Sequence, residues 1–258
     1  MRNAIPAYYF WLPALGLLGC AAVMFTASEN TAWFLTLQQQ LTLLPDSLWA
    51  NTTVLGDALV ALALIALLAL RHPEALRVGI VGGLFCSLII RTVKPLLNAE
   101  RPLAVLGEQV HVIGIELHNL SFPSGHTTSA FLLAGVYALI LQRHWLVPLC
   151  FALASLIGLS RIAVGAHWPV DVCTGAAVGW LGAWVGWKLA PFWQSVQGIV
   201  GQSVLIMFFL LASLGLFFLN SGYPQAFWLQ MGIASLSTFA CLLMLWQQWQ
   251  TFRHSTPP

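Results

Sequence analysis

Long apolar segments recur along this chain, and they constrain its fold more than any other feature. Only 7% of the residues are charged, whereas soluble domains carry about 25%. A helix needs about 20 apolar residues to cross a bilayer. Eight segments approach that length, namely residues 8–27, 54–70, 76–95, 126–142, 146–164, 171–189, 202–220 and 226–246. The sequence therefore predicts an all-α fold, a polytopic transmembrane helix bundle.

The segment between the first two spans has a mixed composition. Residues 31–50 contain three consecutive glutamines at 38–40, and Pro45 follows them. Amide side chains are costly to bury in hydrocarbon, and proline interrupts a helix. We therefore expect an interfacial helix here, and a single integral membrane domain over residues 1–258 as a whole.

The distribution of charged residues predicts an orientation in the membrane. One group of basic residues falls on a single side of the spans: Arg2, Arg71, Arg77, Arg143, Lys188 and Arg253. The positive-inside rule makes that side the cytoplasm and places both termini there. Four other basic residues lie near or on the opposite side of the membrane: Arg91, Lys94, Arg101 and Arg161. All acidic residues except Glu74 lie on that side too. Cations on that side predict a local anionic partner, while the net charge of +2 gives no argument for nucleic acid.

A short polar motif, Pro123-Ser124-Gly125-His126, opens the fourth span. Serine is a favoured N-cap, and the first turn of a helix offers unpaired N–H groups and the positive end of the helix dipole. Gly125 allows close approach of an anion to the backbone, and His126 stands beside it. The alternative interpretation is a capped helix with an interfacial histidine.

A second motif pairs His167 with Asp171 at the start of the sixth span. Residues four apart share one face of a helix, and Pro169 is tolerated in its first turn. A carboxylate on one imidazole nitrogen fixes the tautomer and leaves the other nitrogen free to attack. We expect His167 at an exposed helix start and Asp171 partly buried. The alternative interpretation is an ordinary surface His–Asp pair.

Three cations from separate segments, Lys94, Arg101 and Arg161, complete the polar chemistry. The planar fork of arginine matches two phosphate oxygens, and lysine adds a point charge. Cations that converge from separate helices repel one another unless an anion or carboxylates lie between them. Such a clamp also stabilises the charge on a transferring phosphoryl group.

The three motifs occur in a fixed order and spacing. Six residues separate Lys94 from Arg101-Pro102, and the Pro-Ser-Gly-His motif follows. Five residues then separate Ser160-Arg161 from His167, and three separate His167 from Asp171. This pattern resembles the tripartite signature of the type 2 phosphatidic acid phosphatase superfamily. The resemblance covers about residues 54–190 and implies a six-helix phosphatase core. Residues 200–246 then form two extra C-terminal helices of open purpose.

The resemblance implies a role for each motif residue. His167 is the nucleophile that forms a phosphohistidine, Asp171 orients it, and His126 is the general acid and later the base. The implied phosphate-binding residues are Lys94, Arg101, Ser124, Gly125 and Arg161, with Pro102 and Ser160 in supporting positions. The resemblance implies no metal and no other cofactor.

The sequence thus favours a metal-independent hydrolase of lipid phosphates or diphosphates in the bacterial inner membrane, with its site facing the periplasm. Undecaprenyl pyrophosphate is the favoured substrate, while phosphatidylglycerol phosphate, phosphatidic acid and a lipid A phosphate stay open. A lipid phosphotransferase with the same site is one alternative. A non-enzymatic lipid-binding or transport protein is another, because intramembrane cations can line an anion path. The oligomeric state stays open.

Overall fold

The computed structural model describes residues 5–26, 29–193 and 198–255. Over these ranges the regular structure is helical throughout, which confirms the all-α prediction. In chain order the α-helices are α1 (Tyr8–Thr26), α2 (Asn30–Leu41), α3 (Asp46–Val54), α4 (Ala58–Ala69), α5 (Glu74–Leu97), α6 (Pro102–Leu106), α7 (Gly125–Leu141), α8 (Leu146–Ala163), α9 (Pro169–Leu189), α10 (Ile199–Gly215) and α11 (Phe227–Ser255). Arg2, one of the basic residues used to predict the orientation, lies outside the described residues.

Several helices are long and apolar enough to cross a bilayer. Within the described ranges, four stretches meet this condition: Tyr8–Phe25, Glu74–Gln109, Leu146–Ala163 and Pro224–Arg253. A fifth span results if α3 and α4, which are bent by 64° at a short break, count as one broken span. α7 and α10 are apolar but shorter. The chain is an integral membrane protein, as its composition predicts.

The segment over residues 31–50 differs from the single interfacial helix that its composition predicts. It forms two helices, α2 and the start of α3, and residues 42–45 lie between them. Helix α3 buries Trp49 and Thr53. Gln38 is buried because its amide is satisfied: Nε2 donates to the carbonyl oxygens of His111 (2.9 Å) and Ile162 (3.2 Å). A polar side chain with hydrogen-bond partners can be buried at little cost, so Gln38 lies inside the protein, while Gln39 and Gln40 are exposed.

α9 is the central helix of the bundle and packs against α1, α5 and α7. Glycines make the close contacts possible: a Cβ atom on Gly179 would collide with the carbonyl oxygen of Thr128 in α7, and one on Gly186 with that of Val78 in α5. This packing brings the N-termini of α7 and α9 to the same end of the bundle. There the N–H of Ser124 donates to the carbonyl of Asp171 at 3.1 Å.

The C-terminal helices α10 and α11 pack against each other and against α4. The connection between them carries Tyr223, which is buried in one cluster with Trp49 of α3 and with Ala163 and Val164 at the end of α8. The two extra helices are therefore joined to the same end of the bundle as the motif residues.

Candidate active site

His167 lies in the connection between α8 and α9, and its side chain contacts Asp171. Imidazole Nδ1 is 3.1 Å from Asp171 Oδ2, and both residues are buried, with exposed fractions of 2% and 1%. The expected exposed helix start is therefore wrong for His167. The reason is local: its backbone N–H donates to the carbonyl of Arg161 at 3.2 Å, which folds the connection back onto α8.

The second imidazole nitrogen of His167, Nε2, faces the guanidinium of Arg101 at 3.3 Å. Arginine can only donate hydrogen bonds, so Nε2 is the acceptor in this contact and Nδ1 carries the proton that is donated to Asp171. Burial lowers the pKa of His167 well below its usual range, and the nearby cations act in the same direction. The imidazole is therefore neutral, with its lone pair directed at the cations of the site.

Asp171 is held by donors on three sides. Its Oδ2 accepts from the Ser121 hydroxyl at 2.5 Å and from the backbone N–H of Trp168 at 3.0 Å, in addition to the contact with His167. The Trp168 indole in turn donates to the Glu100 carbonyl at 2.8 Å. The carboxylate thus has a fixed position, and it fixes the plane of the imidazole.

Arg101 and Lys94 bind backbone carbonyls of the loop that precedes α7. The Arg101 guanidinium donates to Asn119 (2.8 Å) and Leu120 (3.3 Å), and to Ala166 beside the catalytic candidate (2.8 Å). The Lys94 ammonium donates to the same Leu120 carbonyl at 2.5 Å. These contacts connect the loop to the α8–α9 connection, so the two cations that the sequence predicts for phosphate binding also shape the site.

Arg161 lies in the last turn of α8 and is 2% exposed. Its Nη1 donates to the hydroxyls of Thr53 (2.5 Å) and Tyr223 (3.1 Å). Its Nε is buried, and no described residue accepts a hydrogen bond from it. A buried charged donor without an acceptor is costly, and a phosphate oxygen is a matching acceptor. Arg161, Arg101 and Lys94 are near enough to interact electrostatically, so the structure brings the three predicted cations together.

The N-terminus of α7 lies beside these cations. Ser124 caps the helix: its Oγ accepts from the Thr127 N–H (3.4 Å) and the Thr127 hydroxyl (2.9 Å). The space beside Gly125 is open, and its N–H belongs to the unpaired first turn of the helix. His126 follows it and is near enough to His167 for electrostatic interaction.

A groove of about 490 Å³ leads to this helix end. It lies between α4, α5 and α7, and Gly125 and His126 are among its lining residues. Most of the lining is apolar, and it includes Leu84 and Phe208, which are 64% and 47% exposed on the outside of the bundle. Arg91 adds a positive charge to the lining. The groove therefore connects the outer surface of the bundle with His126.

The two predicted supporting residues occupy structural positions in their own helices. The Ser160 hydroxyl donates to the Ile157 carbonyl of its own helix at 2.6 Å. Pro102 is the buried first residue of α6, and Arg101 is the N-cap of that helix. Proline is well suited to the first helical position because its missing N–H is not needed there.

Three residues of the site belong to none of the sequence motifs and were not predicted. Ser121 bonds Asp171, and Thr53 and Tyr223 bond Arg161. For Ser121 a signal existed, since a hydroxyl two residues before the Pro-Ser-Gly-His motif lies in the loop that carries it. Tyr223 offered a weaker signal, because its turn joins the last two spans at the same side of the membrane as the motifs.

Comparison with known proteins agrees with this geometry. Residues 75–195 match the model of the PAP2 superfamily. The solved structure of Aquifex aeolicus LpxE superposes with a TM-score of 0.52 at 30% identity, covering 60% of this chain and 94% of that one.

Two curated relatives show similar identity over shorter alignments. A decaprenylphosphoryl-5-phosphoribose phosphatase of Mycobacterium tuberculosis is 35% identical over 121 residues, covering 46% of this chain and 63% of the relative. A putative undecaprenyl-diphosphatase of Escherichia coli, YbjG, is 40% identical over 62 residues, covering 24% and 31%. The chain thus spans less than two thirds of the length of these curated relatives. With the match to the family model and the likeness to LpxE, the chain belongs to the PAP2 superfamily.

Proposed function

We propose that this protein is a membrane phosphatase that removes the terminal phosphate from a lipid phosphate or diphosphate. The observation that carries the proposal is the orientation of His167. Its Nδ1 is occupied by Asp171, and its unprotonated Nε2 faces the cations. A neutral imidazole whose unprotonated nitrogen lies beside a phosphate-binding clamp is an activated nucleophile once a phosphate takes over the hydrogen bond from Arg101.

The reaction proceeds in two steps with His167 and His126 in opposite roles. In the first step Nε2 attacks phosphorus, an N–P bond forms, and the bond from phosphorus to the leaving oxygen breaks. The bound phosphate offsets the charge of the cations and allows His126 to be protonated, and His126 gives that proton to the leaving oxygen. In the second step water attacks the phosphohistidine and His126 takes a proton from the water. An O–P bond forms, the N–P bond breaks, and inorganic phosphate leaves with His167 again neutral and His126 again protonated. The cations, with Gly125 N–H, stabilise the charge on the phosphoryl oxygens.

The groove supports a lipid as the leaving group. It reaches His126, which protonates the leaving oxygen, so the remainder of the substrate lies on that side of the phosphorus. Its apolar walls and exposed outer residues Leu84 and Phe208 match an acyl or isoprenoid chain that enters sideways from the bilayer.

Within lipid phosphates we favour undecaprenyl diphosphate. When the terminal phosphate of a diphosphate is removed, the leaving group is itself a phosphate and carries negative charge. Arg91 lines the groove together with His126 and offers a cation to that second phosphate. The likeness to a putative undecaprenyl-diphosphatase supports the same choice.

We also propose that the site faces the periplasm and that both termini are cytoplasmic, in a bacterial inner membrane. The support is the positive-inside rule. Arg71 and Arg143 follow α4 and α7, and Lys188 ends α9, so all three lie at helix ends remote from His167 and the N-terminus of α7.

The proposed reaction predicts release of inorganic phosphate by the purified protein in detergent with EDTA present. We expect release from undecaprenyl diphosphate to exceed release from phosphatidylglycerol phosphate, phosphatidic acid and lipid A. In a separate assay without EDTA, which chelates vanadate, orthovanadate should inhibit because it mimics the five-coordinate transition state. Release from none of the four lipids would contradict the hydrolase proposal. Activity that EDTA abolishes and a divalent metal restores would contradict the histidine-only mechanism.

Replacement of Arg91 tests the preference for diphosphates. We expect Arg91→Ala to lower kcat/KM for undecaprenyl diphosphate about 10- to 150-fold, since a charge-assisted hydrogen bond contributes on the order of 1.5–3 kcal/mol. For phosphatidic acid, whose leaving group carries no phosphate, the change should be less than about twofold. Arg143→Ala, an exposed cation at the opposite end of α7, is the matched control. Equal losses for both lipids would refute this role of Arg91.

A further inference from the structure

The guanidinium of Arg161 is held by two hydroxyl groups that lie outside the segment matching the family model. That segment covers residues 75–195. Thr53 comes from α3 before it, and Tyr223 comes from the connection between α10 and α11 after it. Both hydroxyls accept from the same nitrogen, Nη1, at 2.5 and 3.1 Å.

The position of Tyr223 is fixed by close packing on the loop between α6 and α7. Its ring fills the space beside Gly114, where a Cβ atom would lie 2.6 Å from the ring edge. Gly222 precedes it with a φ of +78°, a conformation that favours glycine. Tyr223 is 7% exposed and shares a buried cluster with Ala163 and Val164, which lie two and three residues after Arg161 at the end of α8. The hydroxyl therefore reaches Arg161 from a rigid support.

Anchoring at Nη1 determines which edge of the guanidinium is available. Nη1 has two protons, and Thr53 and Tyr223 accept both. Nε lies on the other edge with Nη2, and no described residue accepts from Nε. The Nε–Nη2 edge is one of the two forks that bind phosphate oxygens in parallel. The two hydroxyls thus fix the plane of the guanidinium and leave a bidentate edge for the ligand.

We propose that Tyr223, together with Thr53, positions Arg161 for phosphate binding, so that the C-terminal helix pair completes the active site. Tyr223 is a positioning residue: it touches Arg161 and not the reacting atoms. This inference rests on the proposed phosphatase function, but it concerns anion binding and can be measured without turnover. It also gives a role to α10 and α11, which the sequence motifs do not reach.

The test measures the affinity for orthovanadate through the rise in Tm that the anion causes in purified protein. In Tyr223→Phe the ring keeps its packing against Gly114, and only the hydroxyl is lost. We expect about tenfold weaker vanadate binding and a rise in KM of similar size, with the Tm of the anion-free protein within a few degrees of the wild type. Thr53→Val, which removes the other hydroxyl at constant shape, should have the same effect.

A double-mutant cycle separates positioning from general stability. Lysine has no planar fork to orient, so in an Arg161→Lys background the Tyr223→Phe change should alter vanadate affinity less than about twofold. Tyr137→Phe is the matched control, because its hydroxyl donates to the Leu64 carbonyl at 2.8 Å within the helix bundle. It should leave vanadate binding unchanged.

The outcomes separate the two proposals. Absence of phosphate release with intact vanadate binding would refute the phosphatase function alone. Unchanged vanadate affinity in Tyr223→Phe and in Thr53→Val, or an equal loss in the Arg161→Lys background, would overturn the positioning role. A wild-type protein that vanadate does not stabilise would overturn it as well, since Arg161 would then bind no phosphate analogue.

Discussion

Replacing His167 with asparagine should lower kcat at least about 10⁴-fold, because the proposed nucleophile is lost and loss of a nucleophile in a hydrolase typically costs several orders of magnitude. Asparagine retains a polar group near Nδ1 that can contact Asp171, but it presents no nitrogen lone pair to phosphorus. The measurement is phosphate release under saturating substrate. Trapping of labelled protein after an alkaline quench, which preserves the N–P bond, should succeed for the wild type and fail for the variant.

The burial of His167 decides how this experiment is controlled. Its exposed fraction is 2%, so His167→Ala leaves a cavity as well as removing the nucleophile. We expect the alanine variant to lose activity equally and to show a lower Tm than the asparagine variant. The vanadate-free Tm and the elution volume of both variants establish that they are folded. A folded His167→Asn protein with activity within tenfold of the wild type would eliminate this residue as the nucleophile.

The motif residues could be located from the sequence because they lie at the ends of apolar spans. Once the spans are known, Lys94 near the end of α5, His126 at the start of α7 and His167 before α9 must all fall at one end of the bundle. Their residue types then indicate phosphate chemistry. That part of the site follows from span length and charge alone.

The supporting contacts could not be located in this way. Thr53 and Tyr223 are 108 and 62 residues from Arg161 along the chain, and neither belongs to a pattern with a period or a fixed spacing. Their contact depends on how α3 and the α10–α11 connection pack against the end of α8. The same holds for Gln38, whose buried position follows from two carbonyl acceptors that only the folded chain supplies.

Burial of His167 was mispredicted for a related reason. The sequence shows an apolar helix that begins with Pro169 and suggests that the preceding residues face solvent. In the structure the Arg161 carbonyl binds the backbone of the connection, and the Trp168 indole donates to the Glu100 carbonyl. The connection is thereby held against the bundle, and the imidazole contacts Arg101 and Asp171. A short connection between two spans can therefore be as buried as the spans themselves when its backbone groups are satisfied.

Asp171→Asn should lower kcat on the order of 10³-fold with little change in the fold. Attack by Nε2 places positive charge on the ring of His167, and the carboxylate stabilises that charge across the 3.1 Å contact. A neutral amide has two ways to fit. If its oxygen faces Nδ1, the tautomer is kept but the charge is unopposed; if its NH₂ group faces Nδ1, the proton is driven onto Nε2 and the nucleophile is blocked. Loss of such an orienting carboxylate costs up to about 10⁴-fold in a serine protease triad.

Two further variants give this prediction its controls. Ser121→Ala removes one donor to the Asp171 carboxylate and leaves its charge, so we expect only about a tenfold loss of kcat. Asp46→Asn alters a second His–carboxylate pair, in which Asp46 Oδ1 lies 2.9 Å from His111 Nε2 at an exposed position. Exposed pairs contribute little, so kcat should not change. The role assigned to Asp171 fails if its asparagine variant retains kcat within threefold of the wild type, or if Asp46→Asn causes an equal loss. The ordering Asp171 over Ser121 over Asp46 is expected because Asp171 contacts His167 directly, Ser121 contacts only the Asp171 carboxylate, and Asp46 pairs with the separate His111.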